Sequence, residues 1–95
     1  MHASVIEMKF RSGMKQAAME YAQGLRAAMQ QIDGCNQMIV IDDGDDSAIA
    51  IAIYDSEAQQ IAAADKAQSV MAGIAEFLAG LPDRQGRSVL LNEKL

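Results

Sequence analysis

Glu7, Lys9 and Tyr54 are the side chains in this sequence best suited to acid–base or hydrogen-bond chemistry, because each falls in an alternating stretch that reads as a strand. Glu7 and Lys9 are two residues apart, so they share a strand face. Enclosed together beside Tyr54, the carboxyl would have its pKa raised toward neutrality, which suits a proton-transfer pair or a polar anchor for a ligand. The same spacing also serves an intersubunit ion pair or a solvated strand face, and that alternative stays open. Tyr54, at the end of its strand, can donate a hydrogen bond to a ligand oxygen or pack with a wet hydroxyl. Asn36, Gln37 and Asn92 offer amide contacts to a cavity, although nothing in their spacing requires it.

Other chemistries are weakened by what is missing. The acidic cluster Asp42, Asp43, Asp45 and Asp46 surrounds Gly44, but a calcium loop counted from Asp42 needs a glutamate where this chain has Ile53. A hairpin turn with solvated charges is the better reading. Cys35 has no histidine placed by a motif to activate it, and His2 and Cys35 alone do not build a zinc or iron site, so no metal and no cofactor is expected. The net charge of −5 repels a phosphate backbone, which argues against nucleic acid as a partner. The longest apolar run, Ala48 to Ile53, is far shorter than the roughly 20 residues of a membrane span, and no basic-then-apolar leader opens the sequence. With a single cysteine, this points to the cytoplasm and no membrane partner.

The elements that position these residues follow from hydrophobic periodicity. Ser47 to Asp55, SAIAIAIYD, is the clearest strand, with Ile49, Ile51 and Ile53 on one face and Ala48, Ala50, Ala52 and Tyr54 on the other. If the isoleucines face the interior, the alanines and Tyr54 lie on an uncovered face, where Ala50 and Ala52 leave room for a ligand or another layer. A first strand spans Ser4 to Arg11. An amphipathic helix runs from Met14 to about Ile32 with Gly24 inside it, and Asp33 and Gly34 stop it. A second strand, Cys35 to Asp42, is apolar on both faces, which suggests cover on both sides. The Asp-Gly turn then returns the chain antiparallel. Ser56 and Gln59 resemble a capping box for a second helix reaching about Ala79, with a bend among the small residues before Asp65. The last strand is read at Ser88 to Asn92.

The order strand, helix, strand, strand, helix, strand is that of an α+β, ferredoxin-like fold: a four-stranded antiparallel sheet with both helices on one face. All 95 residues form one domain, a size that buries only about 65% of the unfolded surface. Association with a second copy is a natural remedy.

Ile51 to Pro82, IAIYDSEAQQIAAADKAQSVMAGIAEFLAGLP, resembles the antibiotic biosynthesis monooxygenase-like (ABM-like) domains of the dimeric α/β-barrel superfamily. There a strand ending in an aromatic residue, then Asp or Glu and Ser, leads into an alanine-rich helix. The resemblance implies a homodimer whose open sheet faces close a barrel. It places a cavity between sheet and helices or in the barrel interior, and an oxygenase acting without metal or flavin on an aromatic or quinol-like molecule. The haem-degrading branch resembles a pattern of asparagine, tryptophan and histidine that this chain lacks. The other reading is a non-catalytic homodimer that binds a small apolar molecule or serves as an assembly unit.

Overall fold

A computed structural model describes residues 1–95. The sheet is formed by β1 (His2–Lys9), β2 (Cys35–Asp42), β3 (Ser47–Tyr54) and β4 (Asp83–Ser88), in the order β2-β3-β1-β4 with every neighbouring pair antiparallel. The helical layer contains α1 (Lys15–Gln23), α2 (Arg26–Met29), α3 (Glu57–Ala62), α4 (Ala64–Met71) and a 3-10 segment, Ala72–Phe77. This is the ferredoxin-like arrangement expected from the sequence.

The first helix is not continuous. Gly24 caps α1, and the chain re-enters helix as α2, so the glycine that breaks periodicity is a joint. In the second helical region Ser56 Oγ accepts from the Gln59 amide at 3.2 Å, a cap on α3. The expected bend falls at Ala63, between α3 and α4. Tyr21 of α1 meets Phe77 with ring centroids 5.9 Å apart. The Tyr21 hydroxyl lies where a Cβ on residue 73 would stand, which is why the 3-10 segment carries Gly73.

Burial reverses the expected faces of β3. Ala48, Ala50, Ala52 and Tyr54 are 0–2% exposed and face the helices, whereas Ile49 and Ile51 lie half-buried on the open side. The reason is the helical layer's own small residues: Ala18 of α1 packs in one cluster with Ala48 and Ala50, and Ala63 packs in another with Ala52 and Tyr54. Alanine against alanine brings helices close to the sheet, and isoleucine there would hold them off. Ile49 and Ile51 are left on the face that has no second layer, while Ile53 at the end of the same row is buried. β2 is an edge strand with Ile39, Val40 and Ile41 exposed, not a strand covered on both sides.

β4 also differs from expectation. It is Asp83–Ser88, polar throughout, and the apolar run that follows Ser88 lies outside the sheet. An edge strand with one solvated face carries no apolar alternation, so it reads as a loop.

The acidic turn is tied to α1. Lys15 Nζ donates to Asp42 Oδ1 at 2.8 Å and to the Gly44 carbonyl, and the Gly44 amide donates to the same carboxylate at 3.1 Å. The Lys15 hydrogen bond, then the Gly44 amide, hold the Asp42 carboxyl below its ordinary value of 3.8. A depressed folded-state value means that this contribution is present above about pH 4 and is lost as pH falls through the folded value. Asp42→Asn is therefore expected to flatten the acid limb of stability. Denaturant midpoints of the two proteins, compared at about pH 7 and about pH 3, check this: the variant must lose less on acidification than the parent.

Candidate functional site

The alanine face of β3 leaves space at one end. Between the sheet and the helices lies a cavity of about 500 Å³, within the range of roughly 300–1,000 Å³ typical of small-molecule sites. Ile6 and Met8 of β1, Met38 of β2 and Ala52 of β3 form its floor, and Val70, Met71 and Ile74 form its roof. Leu81 borders it and is fully exposed, which marks an opening. Methionines supply much of the wall, a surface that adapts to the shape of an apolar guest. No carboxylate and no imidazole lines it.

The polar groups of the cavity are Tyr54, Cys35, Gln68 and Arg84. Arg84 is placed by β4, whose register sets it opposite Ile6 and on the helix side with Ser4 and Gly86. Its Nε and Nη2 donate to Ser4 Oγ at 3.3 and 3.1 Å, and Nη1 reaches the Ala64 carbonyl at 3.5 Å. Gln60 Nε2 donates to the same hydroxyl at 2.9 Å. Ser4 and Gln60 are both buried, so a polar seam runs from α3 through β1 to the guanidinium.

Burial pushes the Tyr54 hydroxyl up from its ordinary value; the nearby Cys35 adds to this and Arg84 opposes it. Burial also pushes the Cys35 thiol up, against hydrogen bonds from the Gln37 backbone and Tyr54. Both groups are therefore neutral near pH 7. Tyr54 acts as a hydrogen-bond donor and Cys35 as a packed thiol, not a nucleophile.

The candidates from the sequence separate. Tyr54 and Ala52 reach the cavity. Ala50 is fully buried in the adjacent packed cluster with Met8, Phe10 and Ala18. Glu7 and Lys9 are exposed on the opposite face of the sheet, paired with Ile49 and Ser47, while Tyr54 pairs with His2 at the far end of β1. The structure therefore does not bring them beside Tyr54. Asn36 is exposed, with Nδ2 donating to Asp55 Oδ1 at 2.5 Å, and Asn92 is exposed with Nδ2 near the Met1 sulfur. Neither lines the cavity. Arg84, Ser4 and Gln60 were not singled out: Arg84 sits in a stretch that reads as a loop, and Ser4 and Gln60 carry no motif.

Neither a protein-family model nor a curated protein matches the sequence. Solved structures do match its shape. A protein of unknown function from Nitrosomonas europaea superposes with a TM-score of 0.81 at 16% identity, covering 99% of this chain and 93% of that one. A "putative antibiotic biosynthesis monooxygenase" from Bordetella bronchiseptica gives 0.80 at 11% identity, covering 95% and 97%. A mutant of MhuD, solved with two manganese protoporphyrin IX molecules bound per active site, gives 0.79 at 13% identity, covering 99% of each chain.

The residues here do not fit a haem iron. The only imidazole, His2, lies beside Gly86 at the end of β1 and outside the cavity lining, so no histidine is available there to hold the iron. With its strand order, helical layer and neighbours taken together, the chain shares the ferredoxin-like α+β fold of these solved structures.

Proposed function

We propose that this protein is a small monooxygenase-like enzyme, working as a homodimer, that takes one aromatic or quinol-like molecule into the cavity between sheet and helices and oxidises it without a cofactor. The observation that supports this is the cavity itself: an apolar chamber with a tyrosine hydroxyl and a guanidinium at its wall. Oxygenation without metal or flavin draws its electrons from the substrate. An activated ring CH₂ becomes C=O, one atom of O₂ enters the carbonyl, and the other leaves as water with the two hydrogens. The carbon is activated when a conjugated substrate oxygen carries negative charge, and in this reading Tyr54 and Arg84, both in the cavity wall, stabilise that oxygen. Oxygen uptake with a panel of anthrones and quinols tests the reading.

Tyr54→Phe is expected to lower turnover by roughly 10- to 150-fold, because a hydrogen bond to a charged oxygen is worth about 1.5–3 kcal/mol and each 1.36 kcal/mol is tenfold in rate. Steady-state kinetics of the two proteins check this; an unchanged rate would remove Tyr54 from the chemistry.

A second reading has its own support. No general base lines the cavity, which suits a homodimer that binds its small molecule without transforming it. Compounds that raise the melting temperature while consuming no oxygen would favour that reading.

A further inference from the structure

Arg84 is a cation without a counter-ion. The single ion pair of the fold is Lys15–Asp42, at the β2–β3 turn, and no carboxylate lies within ion-pair distance of the guanidinium. Six other basic side chains also lack an ion pair, but Arg84 is the one that lines the apolar cavity. Its partners are neutral: the Ser4 hydroxyl and, at longer range, the Ala64 carbonyl.

The seam also dictates how the guanidinium is presented. Ser4 Oγ has two lone pairs, yet it receives Nε and Nη2 of Arg84 together with Nε2 of Gln60. One edge of the planar fork is thereby fixed against β1, with Ser4 fully buried beneath it. Arginine offers five N–H donors; three are used on Ser4 and Ala64, so one on Nη1 and one on Nη2 remain for a guest. A partly buried charge in an apolar chamber, lacking its own acid and held in one orientation, is arranged for an anion that arrives from outside.

We propose that the cavity's ligand is an aromatic oxyanion, a carboxylate or comparably acidic phenol already ionised at neutral pH, whose charged oxygens pair with Arg84 while its ring fills the apolar chamber. This rests on the reading of the cavity as a small-molecule site and narrows it to a charge class. Ser4 and Gln60 are positioning residues: they hold the guanidinium, and the guanidinium meets the ligand. The methionine-rich walls accept the ring without demanding one shape.

Three matched probes test the charge: 2-naphthoate, 2-naphthamide and naphthalene, titrated into the intact protein by calorimetry, with melting temperature as a second readout. The carboxylate is expected to bind at least about 10-fold more tightly than the amide, which has nearly the same shape and no charge. Arg84→Gln is expected to bring the two affinities together, and Arg84→Lys to retain part of the difference, because an ammonium keeps the charge and loses the fork. Ser4→Ala is expected to weaken the carboxylate and leave naphthalene unchanged, a split that a merely structural role would not give. Equal affinity of carboxylate and amide in the parent protein overturns the inference, as does a preference that survives Arg84→Gln. If all three probes fail to bind, the cavity reading itself fails, whereas binding of the neutral probes alone sinks only the anion.

Discussion

Ala50→Leu and Ala52→Leu, the same change two residues apart on one strand, are expected to give opposite results. Ala50 is fully buried between Ile6 of β1 and Val40 of β2 and packs in a cluster with Met8, Phe10, Ala18 and Leu78. A leucine there has no space and must push α1 from the sheet. Overpacking of this kind costs about 1–3 kcal/mol, which in a domain of this size lowers the melting temperature by roughly 4–8 °C per kcal/mol. Ala52 faces the same way and is as deeply buried, but it borders the cavity of about 500 Å³. The added methylenes enter that space and gain contacts there. Its stability should stay within about 1 kcal/mol of the parent, while ring-sized ligands are excluded. Thermal melts together with naphthoate titrations of both variants check the pair. If Ala52→Leu is as destabilising as Ala50→Leu, the cavity is not usable space.

That contrast also shows what was legible in the residues. Period-two alternation at Ser47 to Tyr54 announces a strand with two chemically distinct faces, and the alternation is there in the structure. It does not say which face is inside, because Ile and Ala both suit burial and the choice depends on what the helices bring. Ala18 and Ala63 bring small surfaces, so the alanines go inward. Once that is reversed, the thin alanine face still leaves room for a guest, but on the helix side of the sheet. Tyr54 was legible because it ends the strand. Arg84 was not, since its strand is an outer edge of arginine, glutamine and serine in which no periodicity separates a solvated residue from one that turns inward. The seam joins Ser4 to Gln60 and Arg84, 56 and 80 positions away, and only tertiary packing assembles it. Glu7 and Lys9 show the converse. Their spacing placed them correctly on one face, but the register with β3 put that face outside and Tyr54 at the other end.

Ile51→Lys is expected to abolish self-association while leaving the subunit folded. The open face is built of cross-strand rows: Val5, Ile51 and Ile39 in one, Glu7, Ile49 and Ile41 in the next. Ile39 and Ile41 are 40% and 46% exposed in the single subunit, a contiguous apolar surface of the kind monomers seldom leave in water. The proposed homodimer covers it with the same face of a second copy, and a twofold contact doubles any substitution. Ile51 is central in its row, so in the proposed dimer each copy would bury an unpaired lysine in the apolar seam, which costs several kcal/mol. A rise of at least about 100-fold in the dimer dissociation constant is expected, since each 1.4 kcal/mol is tenfold. The single subunit loses little, because its lysine can reach water from an uncovered face. Glu7→Gln, at an exposed position on the same face, removes a charge without adding one to the apolar rows and should shift dissociation far less. Sedimentation equilibrium with circular dichroism separates the outcomes. A monomeric parent, or a lysine variant that remains dimeric, would mean that the isoleucine face is covered in some other way.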